Sequence, residues 1–190
     1  MIKAEIRKHY KSLRKSLSQD QVEDLSLKIA NLLLGLPIWD YEFYHIFLSI
    51  IEHKEVNTDY ILNILSGKDK NIIISKSDFS TREMTHVLLT DNTKIKKNEW
   101  NIPEPIGGIP IATEHIEVVF IPLLAFDKTG HRVGYGEGFY DTFLSRCQSK
   151  TLKIGLSFYE EIEEISDTNE FDVTLDYCVT PDKIYDFRRK

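Results

Sequence analysis

The sequence predicts an α/β fold class, a single domain over residues 1–190 with a largely parallel sheet covered by helices on both faces. Two observations carry that expectation. Short segments that are almost continuously apolar alternate with longer ones whose apolar residues recur at helical spacing. The chain is also long enough to bury one core, and it has no repeat, low-complexity tract or linker to divide it.

The elements follow in order. Ile2, Ile6, Tyr10 and Leu13 mark one face of an opening helix set among basic residues. Ser18 to Gln21 has the form of a capping box, and Val22, Leu25, Ile29, Leu32 and Leu33 fill one face of a second helix. Gly35 and Pro37 end it. Tyr44 to Ile50 is an apolar run of strand length. A third helix opens near Asn57 or Thr58 and stops at Gly67, and Asn71 to Ser75 reads as a buried strand. Thr85 to Leu89 is a short strand and Glu117 to Pro122 a strong one. A helix from about Phe139 to Cys147, a strand from Leu152 to Phe158 and a last strand near Asp176 to Thr180 complete a Rossmann-like, three-layer α/β/α order.

Composition excludes several function classes. The longest apolar run, Val118 to Phe126, contains Pro122 and is too short to cross a bilayer. The segment from Met1 to Leu17 carries charges where a secretory signal needs apolar residues. Cys147 and Cys178 have no metal-binding spacing, so reduced core thiols in a cytoplasmic protein are expected. A net charge of −6 argues against a nucleic-acid partner. The expectation is a monomer that acts on small molecules, with neither nucleic acid nor membrane as partner. The charge is uneven, with Lys3, Arg7, Lys8, Lys11, Arg14 and Lys15 at the head and Glu160 to Asp176 acidic throughout. These ends either pair or serve a site.

Gly134, Gly136 and Gly138 stand at alternate positions between a strand and a helix start. That order aims backbone N–H groups at an anion, and glycine lets the main chain approach it closely. The spacing is neither that of a P-loop nor the dinucleotide-binding GxGxxG. Read from the residues alone, the loop is either a phosphate cradle or a glycine-rich turn.

The run from Pro122 to Arg146 resembles the signature of the 5-formyltetrahydrofolate cyclo-ligase family, with Pro122, Phe126, Asp127, Gly130, Arg132, the three glycines, Phe139, Tyr140 and Asp141 in place. Lys3 to Arg7 is similar to the family's basic opening helix, and Phe47 to Thr58 to its folate-binding strand and turn. Asn98 to Pro105 matches its W-x-I-x-E-P segment, and Phe171 to Thr180 its acidic terminal region. The resemblance implies ATP-dependent closure of 5-formyltetrahydrofolate to 5,10-methenyltetrahydrofolate, with ADP and phosphate released through a phosphorylated formyl intermediate. Such chemistry needs charge neutralisation and alignment more than a protein nucleophile. The alternatives are a non-catalytic folate- or nucleotide-binding module on the same fold, or another α/β enzyme acting on sugar phosphates or CoA esters.

By the same resemblance Lys3, Arg7 and Arg132 act on the ATP phosphates, and Arg132, Gly134, Tyr135, Gly136, Glu137, Gly138, Phe139 and Tyr140 form the nucleotide loop. Lys3 and Arg7, four residues apart, share a helix face. Ile50, Asn57 and Trp100, with Tyr135, Gly136, Gly138 and Phe139, face the folate. Asp141 and Asp172 hold Mg²⁺, with Asp176 the less favoured second carboxylate. Asp141 is alternatively readable as a helix-start acceptor, and Trp100 equally as core. Three departures stand out: Asn57 where the family has an acid (unless Glu55 serves), Ser75 where it has proline, and Glu137 inside the loop, expected to point outward.

Overall fold

The computed structural model describes residues 1–188. Helices α1 (Lys3–Ser16) and α2 (Gln19–Leu33) open the chain, and the capping box at Ser18 and Gln21 forms as the sequence predicts. Strand β1 (Phe43–His45), helix α3 (Asp59–Gly67) and strands β2 (Asn71–Asp78) and β3 (Glu83–Leu88) follow. A β4 (Lys94–Lys97) and β5 (Pro103–Ile106) ribbon and the short β6 (Ile109–Pro110) precede β7 (Val118–Pro122). The hairpin β8 (Ala125–Phe126) and β9 (Arg132–Val133), helix α4 (Phe139–Arg146), and strands β10 (Leu152–Leu156), β11 (Tyr177–Val179) and β12 (Ile184–Asp186) complete it.

The main sheet runs β12-β11-β10-β7-β1-β2-β3-β6. Its centre, from β11 to β2, is parallel, while β12, β3 and β6 pair antiparallel at the margins. Strand alternation sorts the side chains into two buried layers. Tyr44, Ile72, Ile74, Phe120 and Ile154 pack with Ile29, Leu33, Ile61 and Leu65 of α2 and α3. Ile73, Val119, Ile121 and Cys178 on the other face pack with Phe143 and Leu144 of α4. The α/β/α layering is therefore as expected from period-two burial of continuous apolar strands.

Several boundaries differ from the sequence expectation. The first strand closes at His45, because the chain beyond Phe47 bends away: Ser49 Oγ donates to the Val56 carbonyl (2.6 Å) and accepts from Thr58 N (3.0 Å). The β4–β5 ribbon escaped detection because every residue of Lys94–Lys97 is exposed and Pro103–Ile106 contains two prolines. Helix α1 packs Ile6, fully buried, against Ala125 and Val133 of the β8–β9 hairpin. That contact brings the basic head to the carboxyl end of the parallel strands, where ligands bind in open α/β sheets.

Candidate active site

Strand β7 delivers the chain to the β8–β9 hairpin, whose turn is tied by buried Asp127. Its Oδ1 accepts from Thr129 N (2.9 Å), Thr129 Oγ1 (2.7 Å) and His131 N (3.1 Å). The hairpin then presents Arg132, almost fully buried, which donates to Asp141 Oδ1 (2.7 Å) and to the Val173 carbonyl. Val173 N donates to the same Asp141 oxygen (3.1 Å), so one carboxylate oxygen joins the glycine loop to the acidic segment. Burial lowers the Arg132 guanidinium's proton affinity, and the negative charge of Asp141 opposes that shift.

The loop between them adopts the conformations that only glycine takes easily, φ 110° at Gly136 and 77° at Gly138, the residue before α4. Arg7 Nε donates to the Gly134 carbonyl (3.0 Å). Lys3 pairs with Asp172 (2.5 Å), and Lys3 N donates to Asp167 (2.7 Å). Burial would raise the Asp172 carboxyl, but the Lys3 ammonium and the Asn169 N–H bring it below its ordinary value. The basic head and the acidic segment thus pair around the loop. Lys3, Arg7, Arg132, Gly134, Gly136, Asp141 and Asp172 lie together, although they span the chain. Glu137 is exposed, as expected of an acid there.

A second half-site adjoins it. The Tyr135 hydroxyl accepts from Arg14 Nη1 (2.7 Å) and lies beside the carboxyl of buried Glu55, whose Oε2 accepts from Ile50 N (2.7 Å). Arg14 Nη2 donates to the Leu123 carbonyl. Burial raises the Glu55 carboxyl, with the Arg14 charge as the chief opposing influence, and burial likewise raises the Tyr135 and Tyr140 phenols. A cavity of about 300 Å³ lies beside Glu55, walled by Leu48, Ile51, Ile95 and Pro103. Asn57 also lines it, but its amide is engaged, Nδ2 with Glu23 (2.9 Å) and Oδ1 with Asp59 N (3.0 Å). Glu55 is the buried carboxyl that lies beside Tyr135 of the glycine loop. Arg14 was missed by sequence reasoning, and its signal was the seven-residue spacing from Arg7, two helical turns along one face.

A larger groove of about 580 Å³ is lined by Lys76, Phe79, Trp100 and Glu104. Trp100 is half exposed and not core; its ring lies 4.3 Å from Phe79, which meets Phe139 of α4 at 5.0 Å. Asn98 Oδ1 accepts from Trp100 N and Ile102 N, so a tight turn holds the indole there. Asp176 stands apart, bound to Lys153 Nζ (2.7 Å) and Lys153 N (2.8 Å).

The carboxylates suit a hard cation that keeps most of its waters. Both hydrogen bonds to Asp141 go to Oδ1, on a side chain 35% exposed. No group of three or more metal-ligating side chains forms a cage among the described residues, and Mg²⁺ bound through one or two carboxylates and substrate phosphates needs none.

Known proteins share the sequence pattern and the fold. The model of the 5-formyltetrahydrofolate cyclo-ligase family matches residues 1–181. The chain is similar to the mouse protein named 5-formyltetrahydrofolate cyclo-ligase, 33% identical over 148 residues that cover 72% of each chain. It is similar to the protein of that name from Escherichia coli strain K12, 25% identical over 179 residues covering 92% of this chain and 97% of that one. The solution structure of Aquifex aeolicus 5,10-methenyltetrahydrofolate synthetase superimposes with a TM-score of 0.84 at 26% identity, over 100% of this chain and 95% of that one. No described helix is long and apolar enough to cross a membrane.

Proposed function

The chain belongs to the 5-formyltetrahydrofolate cyclo-ligase family of enzymes, and on that premise we propose that it converts 5-formyltetrahydrofolate to 5,10-methenyltetrahydrofolate at the expense of ATP. The observation that supports this most is the meeting of Lys3, Arg7, Arg132, Asp141 and Asp172 around a glycine loop whose Tyr135 reaches a second, carboxyl-bearing pocket.

In this reading the formyl oxygen attacks the γ-phosphorus of ATP and ADP departs, leaving an O-phosphorylated, imidate-like carbon on N5. N10 then attacks that carbon and loses its proton, and inorganic phosphate leaves as the ring closes. Lys3, Arg7 and Arg132 neutralise the triphosphate, and the loop from Gly134 to Gly138 offers it backbone N–H groups. Asp141 and Asp172 are the residues that would hold Mg²⁺, which when bound neutralises further phosphate charge. Phe139 and Tyr140 wall the nucleotide side; Ile50, Trp100 and the Glu55 pocket take the folate. A buried carboxylate is best met by adjacent N–H donors, and the aminopyrimidinone edge of a pterin presents them. The free thiols Cys147 and Cys178 suit a cytoplasmic setting.

The test is ATP-dependent growth of the methenyl product's near-ultraviolet absorption from 5-formyltetrahydrofolate. Binding of both ligands without product would instead identify a non-catalytic binding module.

A further inference from the structure

Tyr135 belongs to both halves of the site. Its main chain stands between Gly134 and Gly136, while its hydroxyl sits between Arg14 and Glu55, which are 3% and 4% exposed. Glu55 in turn holds Ile50 N, on the turn that walls the second pocket. The path from Arg14 N–H to the Tyr135 hydroxyl, on to the neighbouring Glu55 carboxyl and from there to Ile50 N–H therefore crosses from the helix that supplies Arg7 to the wall beside the folate pocket. Arg7 on the Gly134 carbonyl is a further bond that holds the loop, and two of the three loop glycines have positive φ. Glycine loses more conformational freedom on ordering than any other residue, so a segment of this kind gives up substantial entropy when it settles.

We propose that Tyr135, oriented by Arg14, is a positioning residue that couples the two pockets, so that nucleotide strengthens folate binding and folate strengthens nucleotide binding by the same factor. The inference rests on the reading of the two pockets given above. Phosphate orders the loop backbone; an ordered backbone fixes the phenol; the fixed phenol orients Glu55 toward the pterin. Whichever ligand arrives second meets a loop already ordered, and loses less entropy on binding. Reciprocity is then required by linkage. An aliphatic residue at 135 would remove the phenol that stands between Arg14 and Glu55, and leave the loop and that carboxyl independent.

Calorimetric titration with 5-formyltetrahydrofolate, with and without magnesium and a non-hydrolysable ATP analogue, tests this. The wild-type protein is expected to bind folate about tenfold more tightly with the analogue present. In Tyr135→Phe that ratio, taken between the variant's own affinities with and without the analogue, is expected to fall to about twofold or less. Glu55→Gln keeps the shape and removes the negative charge beside the Tyr135 hydroxyl, so its ratio should fall too, even if its folate affinity drops; it also serves where Tyr135→Phe does not fold. A purely structural role would shift the melting temperature and leave the ratio unchanged. An unchanged ratio in both variants overturns the proposal. So does a wild-type protein that binds both ligands with independent affinities, whereas failure to bind either ligand overturns the proposed function first.

Discussion

Gly136 has φ 110°, and a Cβ added there would stand 3.4 Å from the Arg7 guanidinium. A branched side chain would strain the backbone by about 1–3 kcal/mol and crowd the cation meant for phosphate. Gly136→Val is therefore expected to weaken ATP binding about 10- to 100-fold in calorimetry, while the backbone strain lowers the apo melting temperature by only about 2–12 °C and leaves the protein folded. Unchanged affinity would mean the loop is only a turn. Asp141 separates its two readings differently. Its Oδ1 takes both structural bonds, from Arg132 and Val173 N, and an asparagine oxygen can accept the same two. Asp141→Asn keeps both acceptors but leaves the buried Arg132 guanidinium without its counter-charge, so it should melt below the wild type, lose about 10²–10³ in turnover and need more magnesium. A magnesium titration of turnover beside apo melts checks this, and wild-type behaviour would leave the carboxylate a mere acceptor.

At the scale of elements, α1 does two things that cannot be separated by truncation. It presents Lys3 and Arg7, and it buries Ile6 completely against the β8–β9 hairpin. Removing the head would damage the fold as well as the site. Ile6→Ala is expected to cost about 2–4 kcal/mol from lost burial and an unfilled cavity, lowering the melting temperature by roughly 4–16 °C in a thermal scan. The pair Lys3→Met with Arg7→Met keeps the helix and its apolar face. It should weaken ATP far more than folate and reduce the salt dependence of ATP affinity, because attraction between charges that still face solvent is screened by added ions. Equal losses for both ligands would refute the assignment of the head to phosphate.

Over the whole molecule, acid should act through two buried histidines. Ser75, in the position where the family pattern has proline, stands between His45 Nε2 (2.6 Å) and His86 Nδ1 (2.8 Å), beneath Phe143 of α4. Burial holds His45 well below its ordinary value near 6.5, and His86 at about 4. Above pH 6.5 neither folded nor unfolded chain protonates them, so their contribution is fully kept there. As pH falls from about 6.5 toward 4 the unfolded chain takes protons that the folded one refuses, and stability is lost. Glu55 works in the opposite direction, because its raised carboxyl gains a proton in the folded state first. Two histidines outweigh one carboxyl, and a loss of about 2–4 kcal/mol between pH 7 and pH 5 is expected in urea denaturation. Equal stability at the two pH values would contradict the buried, neutral assignment.

The sequence by itself determined the layered α/β order, because continuous apolar strands and one-sided helices have few other ways to bury their faces. It also determined the glycine loop with Arg132 and Asp141, because those residues are neighbours in the chain and their chemistry is local. The β4–β5 ribbon lay outside its reach, since an all-exposed strand such as Lys94–Lys97 carries no burial pattern. Only the tertiary structure decided that Lys3 meets Asp172 across 169 positions and Arg14 meets Tyr135 across 121. It also showed Asn57 already bonded to Glu23 while Glu55 lies beside Tyr135 of the loop, and Asp176 drawn off by Lys153. The physical reason is the same in each case. Such pairings depend on which ends of the sheet the packing of α1 and the acidic segment brings together, and periodicity along a chain records what is buried, not what it is buried against.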